Sequence, residues 1–449
     1  MDQQTSFHHA LFVDTDICNG CVHCMRVCPT KAIRVRDGKA RIDANRCIDC
    51  GNCYRVCPVR AIRVEQDDLS LILNYPVRVA LIPSVFLGQF PDHIKPEDIY
   101  STLIRLGFTS VFEVEHGVEI IRDEIGAYLK KHSHQIPLIS SFCPSVVRLI
   151  QVRYPSLTSH IIRLKTPHDI SAIYCRKYYE DQGYRADQIG IFYVTPCAAK
   201  IAAVKSPVGE RVSSINGVIN MDFLYNKVLA SICRKPETDN GIKVLSPGSQ
   251  AIKWTLTRGE VSCFNVRALG IDGIQEVCNF LEKVEMDQVK GVDFLELRAC
   301  QEGCPGGILA PSNPFLTVET MEQRAVNCSS KPAESPGVLD QYRDYLISQA
   351  SVDPIEPRSI LKLDQEVGVA MTKLTALQDI ESKLPGLDCA ACGAPECNAL
   401  AEDIILGKGS IEQCPFIGLG NLIDESADLS DVIKPIREVW SGKIKQIKL

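Results

Sequence analysis

Apolar and polar positions are arranged in two distinct ways along the central part of the chain. Short continuous apolar runs, which are typical of strands buried on both faces, occupy 77–82, 110–114, 136–140 and 189–195. The segment 118–131 instead carries apolar side chains at positions 120, 121, 125, 128 and 129, a helical spacing, and 97–106 is also predicted to be a helix. This alternation predicts an α/β fold with parallel strands.

Two further strands are predicted later in the chain, over 262–269 and 294–298. We expect the strands up to residue 140 to form one half of the domain and the strands from residue 189 onward to form the other. Ligand sites of parallel sheets lie beyond the carboxyl ends of the strands. Four cysteines follow strand ends or the loops after them, namely Cys143, Cys197, Cys300 and Cys304. The pattern predicts a two-lobed domain that presents these thiols to one large cofactor.

The N-terminal segment contains the spacing C-x2-C-x2-C-x3-C-P twice, and each copy is followed by a short strand-like run that ends at Val35 or Val64. In the two-cluster ferredoxin pattern the fourth cysteine of each copy serves the other cluster. The first predicted [4Fe-4S] cluster is bound by Cys18, Cys21, Cys24 and Cys57, and the second by Cys28, Cys47, Cys50 and Cys53. Zinc also binds C-x2-C and is the open alternative.

A second cysteine motif lies near the C-terminus, with the spacing C-x2-C-x4-C-x16-C. It resembles the four-cysteine [4Fe-4S] domain of several anaerobic redox proteins, and zinc is again the alternative. The predicted ligands are Cys389, Cys392, Cys397 and Cys414. A Ser/Pro-rich linker at 329–337 and a looser segment at 353–358 flank a helix predicted over 339–349, with another helix after them. We therefore expect an α+β 2[4Fe-4S] ferredoxin-like domain at 1–70, the α/β domain at 75–350 and a small iron–sulfur domain with flanking helices at 351–449.

Composition narrows the class of protein and its compartment. The 449 residues include 21 cysteines, and the formal net charge of −6 gives no electrostatic reason to expect a nucleic-acid partner. No apolar run approaches the length of about 18 residues that a membrane span requires, and the N-terminus lacks the pattern of a signal peptide. Clustered C-x2-C steps favour metal binding over disulfides. We expect a cytoplasmic protein that does not insert into membranes.

The three cysteine loops of the central domain carry a family resemblance. They read Ser-Ser-Phe-Cys-Pro at 140–144, Thr-Pro-Cys-Ala-Ala-Lys at 195–200 and Glu-Leu-Arg-Ala-Cys-Gln-Glu-Gly-Cys at 296–304. These segments resemble the [FeFe]-hydrogenase motifs Thr-Ser-Cys-Cys-Pro, Met-Pro-Cys-x-x-Lys and Glu-x-Met-x-Cys-x-x-x-Cys, over roughly 75–350. The resemblance implies interconversion of H2 with protons and electrons at an H-cluster, in which a [4Fe-4S] cubane is joined to a two-iron subsite that bears CO, cyanide and azadithiolate.

The resemblance also implies a role for each matching residue. The cubane would be bound by Cys143, Cys197, Cys300 and Cys304, and Cys304 would bridge to the two-iron subsite. Lys200 matches the lysine that hydrogen-bonds a cyanide, and Glu296 matches the glutamate that opens the third motif. Pro83 and Ser84 resemble the stretch that packs around another cyanide.

Two departures from the family pattern bear on proton transfer. Phe142 stands where catalytic members have a cysteine that passes protons, and Arg298 replaces a methionine. A third difference is Ala203, which replaces a glutamate after the second motif. Phenylalanine has no exchangeable proton, and loss of a positioned acid or base costs about 10²–10⁴ in rate. The pattern resembles the sensory branch of the family. Asp123 and Glu124 are either another proton route or part of a solvated helix face.

Three interpretations remain open at this point. The chain is a slow hydrogen sensor, a working hydrogenase with an unconventional proton path, or a hydrogenase-like iron–sulfur assembly or electron-transfer protein without a diiron subsite. The expected partners are H2 and protons, a redox or signalling protein reached through the C-terminal cluster, and the maturation proteins that supply the diiron subsite. Homodimer formation is left open.

Overall fold

The computed structural model describes residues 7–234, 244–329, 337–358 and 366–423, together with residues 430, 433–434, 436–437 and 439–440. The chain divides into two compact units. Unit 1 comprises Met1–Ala10, Ile48–Cys50 and Glu65–Pro357, and unit 2 comprises Leu11–Cys47, Gly51–Val64 and Arg358–Leu449. Unit 2 therefore contains residues of both predicted iron–sulfur segments. Residues 330–336 of the predicted linker lie outside the described residues.

The first part of unit 2 consists of two antiparallel strand pairs and two short helices. Its elements are β1 (Leu11–Val13), α1 (His23–Arg26), β2 (Ile33–Arg36), β3 (Lys39–Ile42), α2 (Asn52–Val56) and β4 (Ile62–Val64). β1 pairs with β4, and β2 forms a hairpin with β3 in which Val35 lies opposite Ala40. The strands predicted to end at Val35 and Val64 are thus present, the first extending one residue further.

Unit 1 contains two parallel sheets surrounded by helices. Its strands are β5 (Val77–Ile82), β6 (Ser110–Glu113), β7 (Leu138–Ile139), β8 (Ile189–Thr195), β9 (Gly217–Asn220), β10 (Ala268–Asp272) and β11 (Phe294–Arg298). One sheet has the order β6-β5-β8-β9 and the other the order β10-β11-β7. Every residue of β8 and β11 is buried, as expected for parallel strands with both faces covered.

The helices of unit 1 follow the strands closely. They are α3 (Ser84–Leu87), α4 (Pro96–Arg105), α5 (Val118–Lys131), α6 (Pro144–Arg153), α7 (Pro167–Asp181), α8 (Ala198–Lys205), α9 (Met221–Arg234), α10 (Ser249–Lys253), α11 (Ile274–Glu285), α12 (Pro314–Ser329) and α13 (Arg343–Ser348). The helix predicted over 118–131 has these bounds, and the helix predicted over 97–106 is shifted by one residue. Within the described ranges, no helix combines the length and apolar character needed to cross a bilayer.

The predicted division of the strands into two halves is wrong. β8 pairs with β5 and so belongs to the sheet of the first half, whereas β7 pairs with β11 in the second sheet. Strand pairing is decided by contacts between residues far apart in the chain, which the order of elements does not reveal. The strand predicted over 262–269 is also wrong in its bounds, because 261–263 forms a 3₁₀ turn and β10 begins only at Ala268, opposite Phe294.

Three helices form the second part of unit 2: α14 (Val367–Lys383), α15 (Cys397–Ile405) and α16 (Pro415–Ile423). A small apolar core joins them and includes two of the predicted ligands. Its buried members are Leu377, Leu384, Cys392, Ala394, Ala399, Leu400, Ala401 and Cys414. The C-terminal cysteine motif therefore lies in a packed helical module.

Buried ion pairs join the two parts of unit 2. Asp403 accepts hydrogen bonds from Arg34 at 2.7 and 3.1 Å and from Arg36 at 3.1 Å. Arg46 donates to Glu402 at 2.6 Å, and both side chains of that pair are at most one-tenth exposed. When one member of a buried pair is removed, the other is left as an uncompensated charge, at a cost of about 3–5 kcal/mol. These contacts make the C-terminal module an integral part of unit 2.

We expect Asp403→Asn to lower the free energy of unfolding of unit 2 by about 3 kcal/mol, because two arginines lose their carboxylate partner. Urea denaturation followed by far-ultraviolet circular dichroism measures the change. The matched control is Asp379→Asn, since Asp379 pairs with Lys383 in the same unit at an exposed position and such pairs contribute at most about 1 kcal/mol. Equal effects of the two substitutions would show that the buried pairs do not stabilise the unit.

Candidate functional site

Three of the four central cysteines occupy the positions where strands give way to helices or turns. Cys143 is the N-cap of α6, with Pro144 in the first turn, and Cys197 is the N-cap of α8. Cys304 begins a 3₁₀ turn after β11. The positive end of a helix dipole favours a thiolate over a thiol. Two of the thiols thus lie where the backbone supports a metal-binding charge state.

The structure brings these thiols into one electrostatic environment. Burial raises the pKa of Cys197 to about 12 and also raises the pKa of Cys143, and in both cases a charge on Cys304 contributes. The backbone of Ala299, directly before Cys300, hydrogen-bonds the Cys143 sulfur and opposes the rise. Cysteines bind metals as thiolates, so metal binding at this place would release the protons of these thiols.

Lys200 is buried beside Cys304. Its Nζ lies 3.7 Å from Cys304 Sγ and donates to the Tyr193 hydroxyl at 3.3 Å, and the residue is only 3 % exposed. Burial acts to lower the pKa of Lys200, but the neighbouring Cys304 and Tyr193 outweigh it and the pKa is raised. A buried ammonium beside a sulfur ligand can bind an anionic ligand of the metal.

Phe142 closes the site next to two cations. Lys200 Nζ lies 4.5 Å from the centroid of the Phe142 ring and Arg298 Cζ lies 4.1 Å from it. Cation–π contacts of this kind are worth about 2 kcal/mol when desolvated. The ring is 5 % exposed. Phe142 is therefore a fixed part of the wall of the site around Cys304, and its side chain provides no exchangeable proton there.

Arg298 is held by two buried carboxylates. Its guanidinium contacts Glu260 at 2.7 Å and Glu296 at 3.2 Å and donates to the backbone oxygen of Trp254 at 2.9 Å. Burial opposes the charge of Arg298, but Glu260 and Glu296 outweigh it and raise the pKa. The side chain of Arg298 is thus a permanent buried cation.

Glu296 is a structural centre of this region. It is fully buried and accepts hydrogen bonds from the backbone N–H groups of Arg258, Glu260 and Val261 at 2.8–3.0 Å. One carboxylate thereby fixes the loop that carries Glu260 and also contacts Arg298. Ser140 donates to the same Glu260 at 2.7 Å and accepts from the backbone N–H of Phe142 at 3.1 Å.

Several buried polar atoms around Cys304 suit an additional group. Arg298 Nη1, Trp254 Nε1 and Thr255 Oγ1 make no hydrogen bond with any described residue. The backbone places them together, since Thr255 O accepts from Cys304 N at 2.9 Å and Arg298 donates to Trp254 O. Buried donors are nearly always satisfied in native proteins, so water, an ion or a bound group would complete these hydrogen bonds. The donor set fits an iron–sulfur assembly with anionic ligands.

Pro83 and Ser84 lie at the end of β5, where Pro83 is the N-cap of α3. The Ser84 hydroxyl donates to Glu113 at 3.0 Å, and its backbone N–H donates to Glu115 at 2.7 Å. Arg324 pairs with Glu113 at 2.6 Å. Burial, with the neighbouring Glu113, raises the pKa of Glu115 to about 8. Ser84 is thus part of an acidic network, and the predicted role of Pro83 and Ser84 beside a cyanide stays a prediction.

Asp123 and Glu124, the alternative proton route, lie on α5. Asp123 is exposed and pairs with Arg122 and Arg343 at the surface, and Glu124 is half-buried. For Asp123 this environment favours the solvated helix face.

Neighbouring cysteines affect the thiols of Cys24 and Cys53 in unit 2. Burial raises the pKa of Cys24 to about 12, with contributions from Cys21, Cys18 and Cys57. These four cysteines line one cavity, together with residues such as Val35 and Ala40. Burial also raises the pKa of Cys53, with contributions from Cys47 and Cys28. Cys57 thus lies near Cys24 and Cys28 lies near Cys53, and the predicted crossing of the fourth ligands stays a prediction.

Backbone groups already donate to three of these sulfurs. The N–H groups of Ala32, Ala40 and Ala61 lie 3.2, 3.3 and 3.1 Å from Cys28, Cys18 and Cys57. Hydrogen bonds to the ligand sulfurs are one of the means by which proteins tune cluster potentials.

The C-terminal cysteines also lie close to one another. Burial raises the pKa of Cys392, and charges on Cys414 and Cys389 contribute. Cys389 is exposed, whereas Cys392 and Cys414 are buried. One edge of a cluster at this place would be near solvent.

The sequence did not indicate Glu260, Tyr193 or His168. Tyr193 accepts from Lys200, and His168 stacks on it with the ring centroids 5.0 Å apart. Burial, helped by the charge of Lys200, lowers the pKa of His168 to about 4, so the imidazole is neutral. His168 also lines a cavity of about 80 Å³ with Ala203. None of these three residues belongs to a motif with a characteristic spacing, so the sequence offers no signal that could have identified them.

Comparisons with known proteins agree with this organisation. The family model "Iron only hydrogenase large subunit, C-terminal domain" matches residues 77–224, "4Fe-4S dicluster domain" matches residues 10–58, and "Putative Fe-S cluster" matches residues 384–416. Together they support an α/β hydrogenase-like core, a ferredoxin-like segment and iron–sulfur binding.

Sequence relatives match only parts of the chain. Iron hydrogenase 1 of Clostridium pasteurianum is 28% identical over 158 residues, which is 32% of this chain and 28% of that protein. The gamma subunit of the acetyl-CoA decarbonylase/synthase complex of Methanocaldococcus jannaschii is 32% identical over 73 residues, 16% of this chain and 15% of that subunit. The matches thus span less than a third of the length of these relatives.

Solved structures show the same fold as the central region. A structure that revealed stepwise [FeFe]-hydrogenase H-cluster assembly is 16% identical, with a TM-score of 0.50, and the match covers 65% of this chain and 98% of that chain. An [FeFe]-hydrogenase variant from Chlamydomonas reinhardtii is 18% identical, with a TM-score of 0.51 and the same coverage. At such identities the likeness establishes the fold.

We expect Glu296→Ala to lower the free energy of unfolding by about 3–5 kcal/mol, because it leaves three backbone donors and Arg298 without a buried acceptor. The midpoint of urea denaturation, followed by circular dichroism, measures this change. Glu282→Ala is the matched control, because Glu282 pairs with Arg153 in the same unit but is 44% exposed. Similar midpoints for the two variants would contradict the structural role of Glu296.

Proposed function

We propose that this chain is an [FeFe]-hydrogenase-like iron–sulfur protein that interconverts H2 with protons and electrons slowly and thereby senses H2 or redox state. The observation that carries the proposal is the buried Lys200 ammonium 3.7 Å from Cys304 Sγ, beside the proton-free wall of Phe142. The first feature suits an anionic metal assembly. The second suits a centre with low turnover.

Cys143, Cys197, Cys300 and Cys304 would hold the cubane of an H-cluster, with Cys304 as the bridging ligand. When bound, the two-iron subsite would supply the place where H2 is split or formed. The helix N-termini at Cys143 and Cys197 stabilise the thiolate charge. The unsatisfied donors of Arg298, Trp254 and Thr255 are the further groups that the assembly would satisfy.

Lys200 would orient the assembly through its charge. A raised pKa keeps its ammonium protonated at neutral pH, and Tyr193 holds its position. A cyanide ligand is an anionic acceptor, for which a buried ammonium is a strong donor. His168, whose imidazole is neutral, stacks on the Tyr193 ring and helps to hold it in place.

Phe142 and Arg298 would limit proton delivery. Phe142 has no proton to exchange, and Arg298 keeps its protons because two carboxylates raise its pKa. Ser140 donates its hydroxyl proton to Glu260 and thus belongs to the structural network. Without a positioned acid, proton transfer is slowed by about 10²–10⁴, whereas the equilibrium between H2 and the redox state of iron is unaffected.

Electrons would pass through [4Fe-4S] clusters bound by the N-terminal cysteines and by the C-terminal motif. The two N-terminal sites would share ligands as in a two-cluster ferredoxin, and the effects of Cys57 on Cys24 and of Cys28 on Cys53 support this. The C-terminal site has one exposed ligand, Cys389. We place the contact with a redox or signalling partner there, in the cytoplasm, and expect diiron maturation proteins to load the subsite.

Infrared spectroscopy tests the assignment. After loading with the diiron cofactor, the protein should show bands of iron-bound CO and cyanide, because the four cysteines and Lys200 provide the ligands and the donor. Cys304→Ala, which removes the proposed bridging ligand, should lose these bands. A sample that contains the cubane but takes up no carbonyl-bearing iron would instead favour an assembly or electron-transfer protein without a diiron subsite.

Phe142→Cys tests the missing proton relay. We expect the loaded variant to evolve H2 at least about tenfold faster than the unchanged protein, since a thiol between two cations is readily deprotonated and can pass protons. Phe142→Val is the control, because it removes volume without adding an exchangeable proton. Equal rates for the two variants, or no gain with cysteine, would remove this explanation of slow turnover.

A further inference from the structure

The C-terminal cysteine motif is hydrogen-bonded to the β2–β3 hairpin of the ferredoxin-like part. The backbone N–H of Val35 donates to the oxygen of Gly393 at 2.9 Å, and Gly393 directly follows the predicted ligand Cys392. Arg36 adds a second link by donating to the oxygen of Cys392 at 3.0 Å. The peptide that follows Cys392, a predicted ligand of the C-terminal cluster, thus contacts strand β2 of this hairpin.

The same hairpin borders the first ferredoxin site. Val35 and Ala40 line the cavity enclosed by Cys18, Cys21, Cys24 and Cys57. Ala40 is the cross-strand partner of Val35, and its N–H lies 3.3 Å from Cys18 Sγ. Val35 and Ala40 face each other across the hairpin, so the peptide after Cys392, this residue pair and the sulfur of Cys18 form a series of close contacts.

The approach of the two segments is close and specifically maintained. Gly393 has φ +78°, and a Cβ at this residue would lie 2.1 Å from Val35 O and 2.9 Å from a Val439 methyl group. Only glycine allows both this conformation and this contact. The buried pairs of Asp403 with Arg34 and Arg36 hold the same hairpin against α15.

We infer that the C-terminal cluster exchanges electrons directly with the ferredoxin cluster of Cys18, Cys21, Cys24 and Cys57 through the β2–β3 hairpin. In each step one cluster loses one electron, passing from the 1+ to the 2+ state, and the other gains it, with no proton transferred. The C-terminal module is then the terminal member of a chain of clusters within this protein. The inference rests on the iron–sulfur part of the proposed function and needs no diiron subsite.

The full-length protein without diiron cofactor is suitable for the test. Iron analysis should account for both N-terminal clusters, the cubane and the C-terminal cluster, and Cys414→Ala should identify the electron paramagnetic resonance signal of the last. After mixing with less than one equivalent of dithionite, rapid freezing should show electrons redistributing between that signal and the ferredoxin signals. In the fully reduced protein the C-terminal signal should relax faster than an isolated cluster.

Gly393→Ala should slow this redistribution several-fold, because the added methyl group displaces the Gly393 peptide from Val35. Gly407→Ala is the matched control: it also has a positive φ, +69°, in the same unit, but its Cβ would meet nothing within 4 Å. It should leave the kinetics unchanged.

Three results would overturn the inference: zinc in place of iron at the C-terminal cysteines, a C-terminal signal that relaxes as an isolated cluster, or kinetics equal in both glycine variants with all clusters present. If Gly393→Ala loses a cluster, its kinetics do not bear on the path. The relaxation of the C-terminal signal and the redistribution of electrons in the unchanged protein then decide whether the inference holds. Failure of the infrared test leaves this result untouched, because no carbonyl-bearing iron is involved.

Discussion

The buried contacts of Arg298 with Glu296 and Glu260 are the constraint on which the geometry around Cys304 depends. Glu296 binds three backbone N–H groups of the 258–261 loop and so fixes Glu260 beside Arg298. Arg298 in turn packs on Phe142 and contacts the Trp254 backbone. A full positive charge is thereby placed among thiols without exposure to water, which is tolerable only because its carboxylate partners are equally buried.

These contacts explain why a cation is required at position 298. An uncharged methionine could not occupy the place of Arg298 without leaving Glu260 and Glu296 unpaired. Phe142, Arg298 and Glu260 therefore form one interdependent group, in which an aromatic ring packs against a salt-bridged cation. Each member of this group thus restricts the position of the others.

The parts of the structure that the sequence predicted are those with local signals. Ligand spacing around Cys18–Cys28 and Cys47–Cys57 is determined by a few neighbouring residues, and the helix at 118–131 follows from its own periodicity. The pairing of β7 with β11 was missed because a two-residue strand has no pattern that selects its neighbour. Glu260 was missed because its partner Glu296 lies 36 residues away and no motif joins them. Long-range packing decided both cases.

Arg34, Arg36 and Arg46 have a consequence for how such a chain can diverge. Their carboxylate partners, Asp403 and Glu402, lie on the C-terminal helix α15. A descendant that lost the C-terminal module would carry three orphaned guanidinium groups on its ferredoxin-like part, and one that gained the module would need acidic residues at matching positions. These three arginines and the acidic residues of α15 therefore cannot be exchanged independently without leaving a charge unpaired.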